Sequence, residues 1–402
     1  MLFKKDELKI LWPFYLDIFI SGLSTMVRPF AVIYYLSLNF SFFQISVIDA
    51  AYAISMVLFE IPTGSFADGF SRKYSVILGL VLVMVSVFII PLTDSFFVIM
   101  CVWVLAGLGT TFISGAQEAW VIDNLNKEGR SDLQHEYFVK ISSFSSLGGV
   151  IAPLIAVLLL QFYSIKLLWF IFAFGFFISA VVLLLFSKEN FKPEKHRPIA
   201  LIKKSYQNSK LGLGFSIRNK AFFYFMIAGI FIEMINISII GMNPFLVSLG
   251  LAEYKLGYLF SIIAGINMIS PFLSKIWVKS NPITVISVII TLIIVLHLSL
   301  LLVKPTFVIA ACVIFGLLSG LTIMIGPILQ TYLHKIIPGK IRATTVSVKS
   351  MVTQLAIALS TIGVGALLDI FGPQKVIAYG GLFGVLAMFF YRKVKIDNPI
   401  QI

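Results

Sequence analysis

Long apolar runs, separated by short islands of charge, are the feature that most constrains this chain. Of its 402 residues, 59% are hydrophobic and only 12% are charged, whereas soluble domains carry roughly 25% charged residues. A helix needs about 20 consecutive apolar residues to cross a bilayer, which is the length of most of these runs. The pattern predicts an all-α membrane protein and excludes an ordinary soluble domain.

Counting the apolar runs between charged or Pro/Gly-marked breaks predicts twelve transmembrane helices. The predicted spans are 10–36, 42–66, 74–91, 96–124, 137–162, 166–186, 221–248, 254–278, 283–303, 307–334, 343–369 and 374–391. A hydrophilic segment, residues 187–220, divides them six and six. We therefore expect residues 1–186 and 221–402 to form two six-helix bundles joined by a cytoplasmic linker.

Lys and Arg are concentrated in one set of loops and in the hydrophilic segment. The opposite loops hold only Lys166, Lys255, Lys304 and Lys375. Because cytoplasmic loops carry the excess of Lys and Arg, both termini are predicted to face the cytoplasm from a cell (inner) membrane. The formal net charge of +13 then reflects topology, so the lipid bilayer is an expected partner and nucleic acid is not.

Cysteine and histidine give no sign of a metal site or of catalysis. Cys101 and Cys312 lie inside apolar runs, without the spacing of metal ligands or of a disulfide framework. His297 and His334 are isolated, whereas a membrane-embedded enzyme would need a polar cluster such as paired histidines with acids. We expect no metal, no cofactor and no enzymatic activity.

A weak internal repeat relates the two predicted halves. At an offset of 209 residues, Val139-Lys140 falls on Val348-Lys349, Phe162 on Phe371 and Lys166 on Lys375. The fifth span is thereby predicted to correspond to the eleventh, with the same direction through the membrane. Parallel repeats of this kind place a substrate site between the halves, near the bilayer midplane.

The loop between the second and third spans carries the most specific motif. Gly64, Asp68, Arg72 and Lys73 match G-x-x-x-D-x-x-x-R-K, and through them the chain resembles the major facilitator superfamily over essentially its whole length. The resemblance implies alternating access between two six-helix bundles, with the Asp capping a helix start and pairing with the basic residue to latch the halves on the cytoplasmic side.

Elementary electrostatics agrees with such a latch. An Asp near a helix N-terminus meets the positive end of the helix dipole, and an Arg is a charge-assisted partner. Asp123, at the end of the fourth span, is expected to complete the cluster with Arg72. The alternative is that Arg72 and Lys73 only anchor topology. The corresponding turn in the second half, residues 274–282, keeps basic residues but has no acid.

The fifth span resembles the glycine- and proline-rich signature of drug and proton antiporters in the superfamily, G-x-x-x-G-P-x-x-G. Its four positions hold Gly148, Ala152, Pro153 and Ala156, so two glycines are replaced by alanine. The resemblance implies export through a sliding interface helix, and an ordinary packing seam of small residues is the alternative. Trp103 stands where many such exporters carry an Arg, which puts their usual route of proton coupling in doubt.

Ionisable side chains inside spans are candidates for function, because each costs about 2.5–3.5 kcal/mol to insert. Arg28 and Asp49 are expected to pair in the outer half of adjacent spans, as a structural ion pair or an outer gate. The favoured cavity carboxyls are Glu233, which has no obvious basic neighbour, and Glu118; each is a proton carrier, a substrate anchor or a silent packing element. The remaining candidates are Asp17 and Glu60, and Lys349 is the candidate partner of Asp17, Glu60 and Glu118. The alternative for Lys349 is to snorkel to the headgroups.

These features together predict a secondary transporter. The favoured function is proton-coupled efflux of a small amphipathic, antibiotic- or peptide-like compound by a monomer. The alternative is a proton-coupled or facilitative importer of a small nutrient, and a membrane-embedded enzyme ranks below both.

Overall fold

The computed structural model describes residues 3–190, 213–277, 281–337 and 342–394. Within these ranges the chain forms α-helices and short 3₁₀ turns, and no β-strand. Twelve helical stretches are long and apolar enough to cross a membrane, which confirms the predicted all-α chain with twelve transmembrane helices. Residues 191–212, most of the predicted linker, lie outside the described residues.

The twelve spans are numbered here in chain order. They are α1 (Glu7–Ser37), α2 (Phe42–Gly69), α3 (Arg72–Leu92), α4 (Phe96–Lys127), α5 (Ser131–Leu159), α6 (Lys166–Phe186), α7 (Lys220–Ser248), α8 (Glu253–Leu273), α9 (Pro282–Leu302), α10 (Pro305–Leu329), α11 (Val348–Phe371) and α12 (Pro373–Lys393). The helix that contains α11 begins earlier, at Arg342. Helices therefore continue beyond the apolar runs that predicted them, most clearly in α5, whose polar first turns precede the predicted start at residue 137.

Local sequence explains where several spans begin and break. The side chains of Ser71, Asn219 and Asn281 accept a hydrogen bond from the first turn of α3, α7 and α9, which satisfies an N–H that has no partner within the helix. A 3₁₀ turn, Thr25–Phe30, interrupts α1. A second break divides α4 at Gly115, whose φ of 71° lies in the left-handed region that favours glycine.

The contacts divide the chain into two compact units, Met1–Ala31 with Ala51–Ser205 and Val32–Ala50 with Tyr206–Ile402. In the first unit, α1 packs on α5 and α6, and α3 packs on α4 and α6. Trp120 is fully buried in its core, edge-on to Phe14 with 4.9 Å between ring centroids. The predicted domain bounds, 1–186 and 221–402, stay a prediction.

In the second unit, α7 packs on α11 and α12, α8 on α10, and α9 on α10 and α12. The start of α2 belongs to this unit. The carboxylate of Asp369 accepts hydrogen bonds from the backbone N–H groups of Phe42 and Phe43, at 2.8 and 2.9 Å. An acid at the end of α11 therefore satisfies the first N–H groups of α2, which have no partner within their own helix.

Candidate functional site

The loop motif and the end of the fourth span meet in the first unit. Arg72 lies between two carboxylates, with Nη1 2.5 Å from Oδ2 of Asp123 and Nη2 3.3 Å from Oδ1 of Asp68. We call Asp68, Arg72 and Asp123 the signature cluster. The structure thus brings the predicted latch residues within hydrogen-bond distance, while their action as a latch stays a prediction. Gly64 lies one turn before Asp68 in α2.

One expectation about the signature cluster is wrong. Asp68 does not cap a helix start, because it lies in the last turn of α2, which ends at Gly69. The N-cap of α3 is Ser71. Glu189, just beyond α6, supports this start: its carboxylate accepts from the Ser71 hydroxyl at 2.6 Å and from the Lys73 backbone N–H at 3.0 Å.

Lys73 connects the start of α3 to the end of α6. Its Nζ donates to the carbonyl oxygens of Leu184 at 2.8 Å and Ser187 at 2.6 Å, at the end of α6, where carbonyl groups lack partners within the helix. The backbone carbonyl of Lys188 accepts from Trp120 Nε1 at 2.9 Å. The segment after α6 is therefore fastened to the start of α3 and to α4.

A cavity of about 410 Å³ lies within the spans of the first unit. Its walls come from α1, α2, α3, α4 and α6, and include Tyr52, Trp103 and Trp169. The Trp103 indole stands edge-on to Tyr52, at 5.4 Å between centroids, and to Trp169, at 6.5 Å. We call this the aromatic cavity. Trp103 therefore forms part of the wall of this cavity.

A second cavity, of about 530 Å³, lies between α1, α5 and α6. We call it the hydroxyl cavity, because Ser21, Thr25, Ser142 and Ser145 contribute to its lining. Arg28 lines both cavities and is solvent-exposed. It lies in the 3₁₀ turn that breaks α1, whose residues on either side of Arg28 are buried.

The predicted pair of Arg28 and Asp49 joins residues of different units. Arg28 belongs to the first unit and Asp49 to the second, and the pair stays a prediction. Within the described residues of the first unit, no carboxylate forms an ion pair with Arg28.

Asp17 is the most buried of the candidate acids, with a residue exposure of 2%. Its Oδ2 accepts from Gln117 Nε2 at 2.6 Å, and its Oδ1 accepts from Ser21 Oγ at 3.4 Å. Gln117 follows the break at Gly115, so the broken geometry of α4 supplies this partner. The arrangement ties α1 to α4 and is consistent with a structural carboxyl as well as with a proton site.

Glu60 and Glu118 are both exposed. Glu118 lies in the first turn of the helical segment Ala116–Lys127, where an acid is favoured by the helix dipole. No hydrogen bond to either carboxylate is found among the described residues. Their roles in proton coupling stay predictions.

Glu233 is a half-buried residue of α7. It interacts electrostatically with Lys349 of α11, and its Oε2 accepts from Asn236 Nδ2 at 3.1 Å. Lys349 is half-buried, with Nζ 6.0 Å from the centroid of the Phe225 ring. Among the described residues the two side chains form no ion pair, and the role of Glu233 in proton coupling stays a prediction.

The small residues of α5, namely Gly148, Ala152, Pro153 and Ala156, are all buried. Gly148 packs against Gly22 of α1, and a Cβ at Gly148 would lie 2.8 Å from the Gly22 Cα. Both glycines belong to the first unit. This contact favours the packing-seam alternative for Gly148, and a sliding interface helix stays a prediction.

The contacts of Glu189 and Gln117 are not predicted from the sequence. Glu189 is an acid directly after an apolar run, which was a signal for a helix-end contact. Gln117 precedes Glu118 in the sequence, which gives no sign of a contact with Asp17. Its partnership with Asp17 depends on the bend at Gly115, for which the glycine itself was the one available signal.

Twelve apolar spans and the charged loop after the second define a polytopic membrane transporter. The sequence model of the Major Facilitator Superfamily matches residues 15–361, and the chain belongs to that family. The resemblance stated from the loop motif is thereby confirmed at the level of the superfamily.

Relatives and solved structures extend this result. The uncharacterized MFS-type transporter YxaM of Bacillus subtilis (strain 168) is 23% identical over 390 residues, 93% of each chain. The crystal structure of the nucleoside transporter NupG has a TM-score of 0.74 at 17% identity, covering 96% of this chain and 99% of its own. That of the peptide transporter POT in complex with sulfate has a TM-score of 0.72 at 15% identity, covering 96% and 93%. At such identities the two structures show the fold alone.

Proposed function

We propose that this membrane transporter of the superfamily works by alternating access and exports a small amphipathic compound in exchange for protons. It acts as a monomer in a cell (inner) membrane, with both termini in the cytoplasm. Transport, without covalent chemistry, is the proposed activity.

The observation that carries the cargo part of the proposal is the aromatic cavity. A volume of about 410 Å³ falls in the range of roughly 300–1,000 Å³ that is typical of small-molecule sites. Tyr and Trp rings present large apolar faces together with a few polar atoms. An amphipathic compound suits such walls better than a multiply charged one does.

The proton part of the proposal rests on Glu233. Its carboxylate lies inside a span, close enough to Lys349 to interact with it. Ionisable groups in spans are rare and mark ion and proton pathways. A proton on Glu233 would remove its attraction to Lys349, so proton binding in α7 would weaken an electrostatic interaction with α11.

The test is substrate-triggered proton movement in liposomes, recorded with an internal pH-sensitive dye across a panel of toxic amphipathic compounds and small nutrients. In the wild type, we expect protons to move opposite to the cargo. Glu233→Gln should abolish the proton movement. Glu253→Gln is the matched control, because Glu253 is an exposed acid at the start of α8 of the same unit.

The direction of proton movement separates the proposal from its rival. Cargo that moves with protons, or without them, would overturn efflux and favour the importer of a small nutrient. If proton movement persists in Glu233→Gln, proton coupling must be assigned to another carboxyl, and Glu118, Asp17 and Glu60 would be tested next.

A further inference from the structure

We infer that Arg28 and the aromatic cavity bind a singly charged organic anion with an apolar body. Such anions would be the substrate class of the proposed transporter. As a statement about transport the inference rests on the proposed function, but the binding is measurable without any transport.

The first observation is the way in which α1 presents the Arg28 side chain. The 3₁₀ turn Thr25–Phe30 is anchored by the buried residues Met26, Val27, Pro29 and Phe30. The proline in this turn has no N–H to donate and favours a break in the helix. Arg28 alone is exposed in the second half of this turn. The backbone is therefore fixed, and the charged side chain borders open space.

The second observation is that the aromatic cavity and the hydroxyl cavity meet at Arg28. Both are lined by Arg28, Phe172 and Phe176. On one side of this boundary stand mainly apolar side chains, with the rings of Trp103 and Trp169 among them and with Thr110 and Ser114 as the hydroxyl-bearing members beside Tyr52. On the other side four serine and threonine residues contribute to the lining. A ligand held at Arg28 would have an apolar wall for its body and short polar side chains near its charged end.

The third observation is the balance of charge. Among the described residues that line the two cavities, none is acidic and Arg28 alone is basic. Asp17, on the same span, is buried and hydrogen-bonded to Gln117 and Ser21. A cation inside a span is costly unless it is paired or functional. A ligand that neutralises Arg28 would take the place of the pairing with Asp49 that the sequence predicts.

These observations select the chemistry of the ligand. The guanidinium group donates two parallel hydrogen bonds to a carboxylate or to a phosphate. One cation matches one negative charge, and a second negative charge would enter the cavity without a partner. A cationic compound would be repelled. An amphipathic carboxylate is therefore the best match.

The experiment compares three ligands that share one apolar body. We would measure binding of 4-phenylbutyrate, 4-phenylbutanamide and 4-phenylbutylamine by titration calorimetry on the full chain in phosphatidylcholine nanodiscs. A charge-assisted contact is worth more than a neutral one, so we expect the anion to bind about 10-fold or more tighter than the amide. The amine should bind most weakly.

Variants test whether Arg28 causes the preference for the anion. Arg28→Gln should bring the anion and the amide to within about 3-fold of each other, whereas Arg28→Lys should keep part of the preference because it keeps the charge. Trp103→Leu should weaken both ligands alike, since it changes the apolar wall. Arg130→Gln, which removes a half-buried arginine paired with Asp132 outside both cavities, is the control and should bind as the wild type does.

Three results would overturn the inference: equal binding of anion and amide by the wild type, no binding of any of the three ligands at millimolar concentration, or an anion preference that survives in Arg28→Gln. The wild-type charge series stands even if an Arg28 variant does not fold. If the wild type shows the binding preference but no proton antiport in liposomes, the proposed function is refuted and the anion site is not.

Discussion

The access of water to each charged group sets the energy of its contacts in the first unit. Glu7 is fully buried and accepts hydrogen bonds from Lys140 Nζ at 2.6 and 2.7 Å and from the Tyr15 hydroxyl at 2.8 Å. Asp68, in contrast, has a side chain that is 55% exposed. Removing one partner of a buried pair costs about 3–5 kcal/mol, whereas an exposed pair is worth about 0–1 kcal/mol. The first contact therefore supports stability, and the second is free to serve a conformational change.

Lys140→Met is predicted to destabilise the protein strongly. It leaves the buried Glu7 carboxylate without its cation, so the free energy of unfolding should fall by about 3–5 kcal/mol. The measurement is unfolding in mixed micelles of dodecyl sulfate, followed by loss of helical circular dichroism.

Glu136→Gln is the matched control for Lys140→Met. Glu136 also contacts Lys140, at 3.3 Å, but its side chain is 28% exposed, so the change should cost no more than about 1 kcal/mol. The double variant Glu7→Leu with Lys140→Met should recover part of the lost stability, because it removes both charges. Equal destabilisation by Lys140→Met and Glu136→Gln would contradict the buried-pair argument.

Asp68→Asn is predicted to impair turnover while it leaves folding and membrane insertion intact. The change weakens a contact with Arg72 that is 3.3 Å long and largely exposed, so stability should change by less than about 1 kcal/mol. Initial transport rates in liposomes should fall several-fold. Asp94→Asn, in an exposed turn between α3 and α4, serves as the control. Wild-type turnover in Asp68→Asn would remove the latch hypothesis.

In a packed pair of helices, the distance to the neighbouring helix determines whether a small residue is required at a given position. The α1–α5 seam places Gly148 against the backbone of Gly22, and such close packing is a source of helix association in membranes. The adjacent residue, Gly149, lines the hydroxyl cavity, where a Cβ would meet nothing within 4 Å. Two neighbouring glycines in one helix thus have different reasons to be small.

Gly148→Ala is predicted to destabilise the first unit, and Gly149→Ala is not. The new methyl group at position 148 would lie 2.8 Å from the Gly22 Cα, and overpacking of this kind costs about 1–3 kcal/mol. At position 149 the change should be neutral or stabilising by up to about 1 kcal/mol, since alanine favours helix. Thermal unfolding of both variants in detergent is the measurement. Equal unfolding temperatures of the two variants would contradict the prediction, because they would show that α1 and α5 can move apart enough to accommodate the methyl group.

At the scale of the whole molecule, the even number of spans and the distribution of Lys and Arg govern topology. Twelve crossings return the chain to the side on which it started. The two units differ in their charged groups within spans: the first holds Arg28 beside open cavities, and the second holds Glu233 and Lys349, which interact electrostatically. Cargo recognition and proton binding are thus proposed for different units, which alternating access would have to couple.

Both ends of the chain are predicted to be protected from a membrane-impermeant maleimide applied to intact cells. The test uses a background that carries Cys101→Ser and Cys312→Ser, since Cys101 is exposed. The single variants Lys5→Cys and Asn398→Cys should label only after the membrane is opened. Lys304→Cys, in an exposed turn between α9 and α10, should label on intact cells. Labelling of either terminal variant from outside would reverse the assigned orientation.

The one-dimensional pattern of hydropathy and charge was sufficient for the fold class. A span needs only its own apolar run to be recognised, because the bilayer acts on each helix separately. The proximity of the residues in the signature cluster could also be predicted from the sequence, since Asp68 and Arg72 are four residues apart and Asp123 lies near the end of the fourth span. Helix bounds were less accurate, as in α5, because helical hydrogen bonds continue past the apolar residues that reveal them.

The sequence alone thus determined an all-α chain of twelve spans that belongs to the superfamily, and it identified most of the ionisable residues worth testing. The hydrogen-bond partners depend on the tertiary structure: Asp17 accepts from Gln117, and Glu7, which the sequence did not single out, accepts from Lys140. The tertiary structure also decided that Arg28 borders an aromatic cavity. The physical reason is that membrane insertion depends on local composition, whereas burial, cavities and charge pairing depend on which faces of distant helices meet.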